Sequence, residues 1–420
     1  MEKEVLEKAE YCLNCKTKPC QQGCPLGNDI PAFIACIKEE KYEEAYQILS
    51  KTTVLQPICG RICPHEQQCQ GNCVRRFKAH PTQIGDLEAY VGDIALEKNF
   101  PFSKEKITSI NKKVAVVGGG PAGLTCAAFL ARAGYKVTIL EKYSKLGGLL
   151  RHGIPEFRLD RKILDKVIDK IMQLGIQVQY KQELGKTITL EELNQQYDAI
   201  FLSFGANISS KMGIEGEELS GVYGGNELLE KEMHPNYIGK KVAVIGGGNV
   251  AMDCSRTIKR MGAKEVYVVY RRAEKQMPAE RKEIEDAKQE GVKFLFQNNI
   301  VSITGKDKVE KIECIKTQLV KKEGETRESP VNIEESNYEI PMDYVVMAIG
   351  STTEKAVIET LQKQGIGVNH RGYIQVNENY QTSNPKVFAG GDNIGQKATV
   401  AWAARAGRDA AYQIANFLGK

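Results

Sequence analysis

Nine of the twelve cysteines of this 420-residue chain lie before residue 74, and eight of these nine form two short runs. Thiolates repeated at intervals of a few residues can form disulfides, bind zinc or hold an iron–sulfur cluster. The opening MEKEVLEKAE has no apolar core, so we expect no secretory signal and a cytoplasmic protein. Thiols stay reduced in the cytoplasm, which favours metal binding over disulfides. The runs are Cys12, Cys15, Cys20 and Cys24, then Cys59, Cys63, Cys69 and Cys73.

The spacing of these cysteines leaves two kinds of metal site open. Zinc sites use four ligands in two close pairs. Here Pro25 and Pro64 directly follow cysteines, as in the cysteine runs of bacterial ferredoxins, where the last cysteine serves the other cluster. Taken alone, the spacing keeps zinc as a rival. The nucleotide-binding motifs that follow favour two [4Fe–4S] clusters.

A glycine-rich turn lies within KKVAVVGGGPAGLTCAAFLARAGYKVTILEK, residues 112–142, between a predicted strand and a predicted helix. Its G-x-G-x-x-G spacing permits a tight turn and the close approach of a diphosphate to the amino end of the helix. The second strand ends on an acid that can accept a hydrogen bond from a ribose hydroxyl. We predict an FAD site that includes Gly118, Gly120, Pro121, Ala122, Gly123, Glu141 and Lys142.

The motif repeats in residues 240–272 with one change. Tyr270 takes the place of the acid, and two arginines follow it. A carboxylate there would repel a 2′-phosphate, whereas a guanidinium pair would bind it in a forked contact. A solvated arginine pair is the alternative. We predict an NADPH site, with NADH also possible, that includes Gly246, Gly248, Asn249, Val250, Arg271 and Arg272.

The elements around these motifs predict the domain organisation. YDAIFLSFGAN (197–207) and MDYVVMAIGST (342–352) are apolar strands that we interpret as the crossings out of the first nucleotide domain and back into it. Apolar residues at helical spacing in residues 26–58 predict two short helices. The predicted fold is an α/β flavoprotein with two dinucleotide-binding domains and an N-terminal all-α iron–sulfur domain. Its boundaries are 1–110 (clusters), 111–224 and 346–420 (FAD), and 225–345 (NADPH).

The C-terminal part of the chain predicts a strand, a Gly-Gly-Asp turn and a long helix. We expect the helix to begin near Thr399 and its dipole to stabilise negative charge on a reduced flavin ring. Gly391 and Asp392 lie at the turn. Asp392 can accept a hydrogen bond from a ribityl hydroxyl, or it can be an ordinary turn or helix-capping aspartate. Both interpretations stay open.

Six stretches together carry a family resemblance. The chain resembles the small (beta) subunit of bacterial NADPH-dependent glutamate synthase, a module that recurs in dihydropyrimidine dehydrogenase and in transhydrogenase-like and sulfide dehydrogenase-like complexes. The resemblance implies FAD, two [4Fe–4S] clusters and NADPH, with a larger catalytic subunit or a ferredoxin-like protein as electron acceptor. The stretches are CLNCKTKPCQQGCP, CGRICPHEQQCQGNC, GGGPAGL, GGLLRHGIPEFRL, GGGNVAMDCSRT and AGGDN.

The resemblance also implies ligand sets and a loop beneath the flavin. One cluster would be held by Cys12, Cys15, Cys20 and Cys73. The other would be held by Cys24, Cys63, Cys69 and Glu88, with Cys59 as the rival fourth ligand and Cys36 as a buried thiol. In the loop, Gly148 and Leu149 are expected to approach the flavin, and Arg158 to hold its charge.

The remaining sequence excludes several functions. No Walker loop, Ser–His–Asp set or paired acid and base is found, so we expect an NADPH-oxidising electron-transfer subunit whose acceptor lies elsewhere. A net charge of +5, interpreted as spread along the chain, gives no argument for nucleic acid, and no apolar stretch approaches the ~20 residues that a membrane helix needs. The charged run from Glu280 to Asp286 is expected to face solvent. Alternatives are a subunit of a dihydropyrimidine dehydrogenase, ferredoxin:NADP or sulfide dehydrogenase type of complex, a self-sufficient diaphorase, and a zinc-stabilised flavoprotein.

Overall fold

The structure, a computed structural model, describes residues 2–104, 107–231, 233–321 and 328–419. The chain forms two compact units. The first contains Met1–Arg151, Glu156–Ala206 and Thr353–Lys420, and the second contains His152–Pro155 and Asn207–Thr352. The second unit is therefore an insertion within the first.

Helices make up the N-terminal region and cover both sheets. In chain order they are α1 (Glu2–Glu10), α2 (Pro19–Gly23), α3 (Ile30–Lys38), α4 (Tyr42–Ser50), α5 (Gln56–Ile62), α6 (Ile84–Glu97), α7 (Pro121–Arg132), α8 (Leu149–His152), α9 (Arg161–Met172), α10 (Leu190–Gln196), α11 (Gly225–Lys231), α12 (Asn249–Arg260), α13 (Arg281–Gln289), α14 (Lys355–Lys363) and α15 (Val400–Phe417).

The strands begin after residue 110. In chain order they are β1 (Lys113–Val117), β2 (Lys136–Glu141), β3 (Gln177–Tyr180), β4 (Ala199–Leu202), β5 (Ile208–Ser209), β6 (Val222–Gly224), β7 (Lys241–Ile245), β8 (Glu265–Tyr270), β9 (Lys293–Phe296), β10 (Asn298–Thr304), β11 (Lys311–Val320), β12 (Ser329–Asn332), β13 (Tyr338–Pro341), β14 (Tyr344–Met347), β15 (Ser351–Thr352) and β16 (Val387–Ala389).

The N-terminal region is helical in its described residues, as predicted. Helix α3 starts at an N-cap, because the Asp29 carboxylate accepts a hydrogen bond from the Ala32 amide, and its apolar face is buried. Between α5 and α6 the backbones approach closely: a Cβ on Gly60 would lie 2.4 Å from the Ala89 nitrogen. Cys36 is half-buried, so the expectation of a buried thiol is wrong. It lies beside Glu39, Lys41 and Glu44, away from the apolar face of α3.

The first unit contains a five-stranded parallel sheet in the order β16-β4-β1-β2-β3. Strands β1, β2 and β4 are almost wholly buried, which explains their near-continuous apolar sequences. Helix α7 connects β1 to β2, and α15 packs along α7. Because all strands are parallel, their carboxyl ends lie at one edge of the sheet, where the first glycine turn and the Gly390–Gly391 turn are found.

Three side chains from helices around the first sheet attach it to the N-terminal region. Arg132 of α7 donates to the Ser50 carbonyl over 2.7 Å, and Arg408 of α15 donates to the Leu26 carbonyl over 2.6 Å. Lys170 of α9 donates to the side-chain oxygen of Asn99 over 3.1 Å. The N-terminal region and the sheet therefore belong to one compact unit.

The second unit contains a five-stranded parallel sheet in the order β6-β14-β7-β8-β9, beside an antiparallel sheet formed by β10, β11, β12 and β13. Helix α12 connects β7 to β8. Arg256 of α12 is buried and forms ion pairs with Glu283, Asp286 and Glu290 on or beside α13. The expectation that the charged run from Glu280 to Asp286 faces solvent is thus wrong for Glu283, because a buried guanidinium requires carboxylate partners.

Candidate functional site

Four cysteines from two distant parts of the chain line one cavity. Cys12 and Cys15 lie in the loop after α1, Cys20 lies on α2, and Cys73 follows a short 3-10 turn at Gln70–Asn72. The cavity wall also contains Ile30, Ile34 and Ile84. The structure therefore brings together the four thiols that the family resemblance assigns to one cluster.

Backbone amides face the sulfurs of this first thiol set. The Thr82 amide donates to Cys73 Sγ over 3.5 Å, and the amide of Asn14 faces Cys12. Burial raises the pKa of the Cys20 thiol to about 11. Hydrogen bonds to sulfur set the potential of iron–sulfur centres, and a thiol this basic would release its proton on binding iron. The donor set fits a thiolate-bound cluster.

A second group lies deeper in the N-terminal region and contains Cys24, Cys63, Cys69 and Glu88. Burial, followed by the charge of Glu88, raises the pKa of the Cys24 thiol to about 11. Burial and the neighbouring charges of Cys24 and Glu88 likewise raise the pKa of Cys69. All three thiols thus lie within electrostatic reach of one carboxylate.

Glu88 is a buried carboxylate on α6. Burial raises its pKa to about 8, and the Asn28 side-chain amide donates to its Oε1 over 3.2 Å. The oxygen of Asn28 accepts in turn from the Thr52 hydroxyl over 2.6 Å. A carboxyl at this depth is rare without a partner. A carboxylate within electrostatic reach of three thiols would supply an oxygen ligand to a bound cluster.

Cys59, the rival fourth ligand, also lies next to this second thiol set. Its side chain is hydrogen-bonded to Cys63, which is the leading cause of the raised pKa of Cys63. Cys59 is buried on α5, one helical turn before Cys63. Among the described residues no three His, Cys, Asp or Glu side chains converge as a single metal ion requires.

The first glycine turn has the close contacts that a diphosphate-binding turn needs. Gly118 has a φ of +100°, and a Cβ on Gly123 would lie 1.9 Å from the Gly118 carbonyl oxygen. Helix α7 begins at Pro121, followed by Ala122, with Gly120 as an N-cap that has no side-chain hydrogen bond. The first amides of α7 are therefore available to an anion, and the turn fits the diphosphate of FAD.

Glu141 is fixed at the end of β2 by two backbone amides. Its Oε2 accepts from the Gly119 amide over 2.8 Å, and its Oε1 accepts from the Tyr143 amide over 2.9 Å. Burial raises its pKa. Lys142 lies half-buried beside it, with Nζ 4.6 Å from the centre of the Tyr143 ring. The carboxylate is thus oriented at the glycine turn, where a ribose hydroxyl would approach.

The loop after β2 reaches the glycine turn directly. A Cβ on Gly148 would lie 2.8 Å from the Gly120 Cα, so only glycine fits there, and the φ of Gly148 is +52°. Leu149 is the first residue of α8 and is half-buried. Arg158 is half-buried and lies in the same compact unit. The predicted loop residues therefore lie in the unit that contains the first glycine turn.

The C-terminal turn at Gly391 also lies against the start of α7. Gly391 has a φ of +84°, and its Cβ would lie 3.0 Å from that of Ala122. Burial raises the pKa of Asp392 to about 6. Helix α15 begins at Val400, and the Thr399 hydroxyl caps it by accepting from the Trp402 amide. Helix α15 also lies against the start of α7, since a Cβ on Gly407 would lie 2.1 Å from the Ala122 carbonyl oxygen.

The second glycine turn repeats this geometry in the other unit. Gly246 has a φ of +138°, and its Cβ would lie 2.2 Å from the Ala348 carbonyl oxygen. Gly248 is the N-cap of α12, whose first residues are Asn249 and Val250. The Asn249 side-chain oxygen accepts from the Glu280 amide over 3.0 Å. This fixes the start of α12 against the segment before α13.

The arginine pair lies at the end of β8. Arg271 is exposed and Arg272 is half-buried, and neither guanidinium has an acidic partner within the described part of the chain. Their backbones are fixed, since the Thr317 hydroxyl donates to the Arg271 carbonyl and the Gln297 amide donates to the Arg272 carbonyl. Two guanidinium groups on a fixed backbone fit a 2′-phosphate.

Comparison with known proteins places the chain in a family. The family model for pyridine nucleotide-disulphide oxidoreductases matches residues 112–407, and the model for the 4Fe-4S cluster domain II of dihydropyrimidine dehydrogenase matches residues 1–100. The glutamate synthase [NADPH] small chain of Halomonas elongata is 35% identical, with 99% of this chain and 91% of that protein covered. The chain belongs to the glutamate synthase small-chain family. The small chain of Escherichia coli K12 is 34% identical over 99% of this chain and 92% of its own length.

Other relatives extend this family. The NADPH-Fe(3+) oxidoreductase subunit beta of Geobacter sulfurreducens is 38% identical over 81% of this chain and 52% of its own length. The structure of FprA from Mycobacterium tuberculosis has a similar fold, with a TM-score of 0.65 and 21% identity, and the match covers 73% of this chain and 85% of FprA. The predicted fold class and the prediction of an oxidoreductase that transfers electrons from NADPH through FAD and iron–sulfur centres are confirmed.

No helix among the described residues combines the length and the hydrophobicity that crossing a bilayer requires.

Sequence reasoning missed the residues that support the candidate ligands. Asn28 and Thr52 orient Glu88, and Thr82 donates to Cys73. Ser203 lies under the first glycine turn, where its hydroxyl donates to the Gly118 carbonyl over 3.0 Å. None of them follows a spacing rule: the contacts of Asn28, Thr52 and Ser203 join distant segments, and Thr82 reaches Cys73 across a nine-residue loop without a repeating pattern.

Proposed function

We propose that this chain is the NADPH-oxidising subunit of a larger complex and passes electrons, one at a time, to a protein partner. When bound, FAD takes up a hydride and gives up electrons singly, and each [4Fe–4S] cluster stores one electron. The observation that carries the proposal is the presence of two adjacent thiol sets in the compact unit that also contains the first glycine turn.

The ligand sets are part of this proposal. We assign the first cluster to Cys12, Cys15, Cys20 and Cys73, supported by the cavity that these four thiols line. We assign the second cluster to Cys24, Cys63, Cys69 and Glu88, supported by the electrostatic coupling of each thiol to the buried carboxylate. Cys69 also lies within electrostatic reach of Cys20, so the two sets are neighbours.

The contacts of Leu26 indicate which of the two thiol sets lies nearer the first glycine turn. Leu26 and Asn28 present backbone amides to Cys24, and the Leu26 carbonyl accepts from Arg408 of α15. The second thiol set is therefore adjacent to α15, whose Gly407 lies against Ala122 at the first glycine turn. The first set lines the cavity bordered by exposed loop residues. We infer that a cluster held by the second set would receive electrons from the flavin, and that a cluster held by the first set would pass them to the acceptor.

The nucleotide sites are also proposed from their geometry. FAD would lie on Gly118, Gly120, Glu141 and the Gly391–Asp392 turn, with Thr399 and α15 at its ring end. NADPH would lie on Gly246 and Gly248, with the arginine pair on its 2′-phosphate. Relatives named as a small chain and as a subunit beta support a partner of larger size, or a ferredoxin-like acceptor.

The ligand assignment is tested by removing one thiol from each set. Cys15→Ser and Cys63→Ser should each reduce the iron and acid-labile sulfide of anaerobically purified protein by about half, with distinct residual electron paramagnetic resonance signals. Cys36→Ser, outside both sets, is the control and should retain the full content. Full iron content in both ligand variants would refute the two-cluster proposal.

A further inference from the structure

Two segments of the N-terminal region, residues 11–18 after α1 and residues 73–80 before α6, form one surface. We call it the Leu13–Phe77 surface. The Tyr11 ring stacks on the His80 ring with centroids 4.6 Å apart. The Arg75 guanidinium lies 4.1 Å from the centre of the same Tyr11 ring, and Arg75 Nε donates to the Tyr11 carbonyl over 2.9 Å. These contacts join the two loops on the side where both carry cysteines.

This surface borders the first thiol set directly. Leu13, Val74 and Arg75 line the same cavity as Cys12, Cys15, Cys20 and Cys73. Electron transfer between proteins requires the two redox centres to come close. A partner that takes electrons from this thiol set would therefore have to contact these loops.

Large apolar side chains are exposed on the surface. Leu13 is 52% exposed, Val74 is 41% exposed and Phe77 is 76% exposed. A single exposed apolar residue is ordinary, but a group beside a buried centre is typical of a protein interaction site. Aromatic residues such as Phe77 are enriched in interface cores.

The surface is also strongly cationic. It carries Lys16, Lys18, Arg75, Arg76 and Lys78, and no Asp or Glu occurs in residues 11–28 or 67–85. These five charges equal the formal net charge of +5 of the whole chain, so the rest of the chain has no net charge. The expectation that the positive charge is spread along the chain is therefore wrong. Lys18 pairs with Asp29 over 2.7 Å. Lys16, Arg76 and Lys78 have no acidic partner among the described residues.

We propose that the Leu13–Phe77 surface docks a one-electron acceptor protein whose redox centre is surrounded by acidic side chains. Opposite charges orient such a partner and accelerate its encounter, and the apolar centre excludes water once the two are in contact. One NADPH reduces two acceptor molecules by one electron each, which gives NADP⁺, one proton and two reduced acceptors, with no bond formed to the acceptor. The inference rests on the proposed function, because it assumes that electrons leave from the first thiol set.

Charge reversal tests the surface in the full cofactor-loaded protein. The probe is an acidic plant-type [2Fe–2S] ferredoxin, with its dissociation constant measured by anaerobic biolayer interferometry. Arg76→Glu with Lys78→Glu should weaken binding at low salt by about tenfold or more, and the difference should shrink at roughly 0.5 M salt. Lys355→Glu with Lys363→Glu on α14, which makes the same change in net charge elsewhere, should leave the dissociation constant within about twofold of that of the unmodified protein.

A second variant separates packing from charge. Phe77→Ala should weaken ferredoxin binding at both salt concentrations, because it removes apolar contact area without changing the charge. Neither surface variant should change NADPH-driven ferricyanide reduction, since ferricyanide requires no docking surface. Dissociation constants for the Arg76 and Lys78 double variant within twofold of those of the α14 control would overturn the proposal.

Cluster reduction by NADPH, followed in the same samples, separates the two ways in which the idea can fail. If NADPH leaves the iron–sulfur signals of the unmodified protein oxidised, the proposed function fails and the docking surface fails with it. If NADPH reduces the clusters but the unmodified protein does not reduce ferredoxin, or if the double variant binds it normally, only the docking surface is wrong.

Discussion

The side-chain amide of Asn28 donates a 3.2 Å hydrogen bond to the buried carboxylate of Glu88, across 60 residues of sequence. Asn28 also presents its backbone amide to Cys24, whose pKa is raised by burial and by the charge of Glu88. One asparagine therefore contacts both the Cys24 thiol and the Glu88 carboxylate. This relationship favours Glu88 as the fourth ligand of the second thiol set.

Substitutions at Glu88 and Cys59 should separate the two candidate ligands. Glu88→Ala should remove one cluster or convert it to a cluster with fewer iron atoms, which lowers the iron content by up to about four atoms per chain. Cys59→Ala should retain both clusters. Iron and sulfide analysis with electron paramagnetic resonance measures this. Loss of iron from Cys59→Ala, with full iron in Glu88→Ala, would give the ligand role to Cys59.

The arginine pair should determine the nucleotide preference. Arg271→Ala with Arg272→Ala should lower kcat/KM for NADPH by about 100-fold or more and leave that for NADH unchanged, since hydrogen bonds to charged groups contribute about 1.5–3 kcal/mol each. Steady-state kinetics with both nucleotides and ferricyanide measures the ratio. The exposed pair Lys275→Ala with Lys282→Ala is the control, and an unchanged NADPH preference in the arginine variant would remove the assignment.

Gly123 should be essential to the first glycine turn. A Cβ there would lie 1.9 Å from the Gly118 carbonyl oxygen and 2.8 Å from Ser203 Oγ. Gly123→Ala should therefore lower the free energy of unfolding by roughly 1–3 kcal/mol and leave little FAD in the purified protein. The equivalent residue of the second turn is alanine, so Ala251→Gly is a matched control that should keep its FAD. Normal FAD content in Gly123→Ala would show that the turn does not bind the diphosphate.

Asp392 should make flavin-free protein less stable as pH rises. Burial raises its pKa from 3.8 to about 6, so between these values the folded state binds more protons than the unfolded chain. The free energy of unfolding then falls as pH rises through this window and stays lower above it. Asp392→Asn should stabilise flavin-free protein at pH 7.5 by on the order of 1–2 kcal/mol and not near pH 4.

Thermal unfolding of flavin-free protein at both pH values measures this effect. Asp169→Asn, an exposed aspartate on α9, is the control and should change stability little at either pH. If Asp392 also binds the ribityl chain, Asp392→Asn should weaken FAD binding despite its greater stability. A stability change of the same size at pH 4 and pH 7.5 would contradict the burial argument.

The sequence predicted the features that depend on local pattern. Both glycine turns lie between a buried strand and a helix, and α15 begins one residue after Thr399, because spacing and apolar runs determine these elements locally. What it missed depends on distant contacts. Glu283 is in a charged run, yet it is buried because Arg256, on another helix, requires a partner. The joining of residues 11–18 to residues 73–80 likewise rests on the Tyr11 and His80 stack.

The most direct test of the account is an anaerobic titration of the purified protein with NADPH, with flavin absorbance and cluster electron paramagnetic resonance followed together. The account predicts about eight iron atoms per chain, the content of two [4Fe–4S] clusters. It also predicts that flavin bleaching is accompanied by reduced-cluster signals and that NADPH is more effective than NADH. Flavin that bleaches while the iron stays oxidised in the absence of any acceptor, or protein without iron, would contradict it.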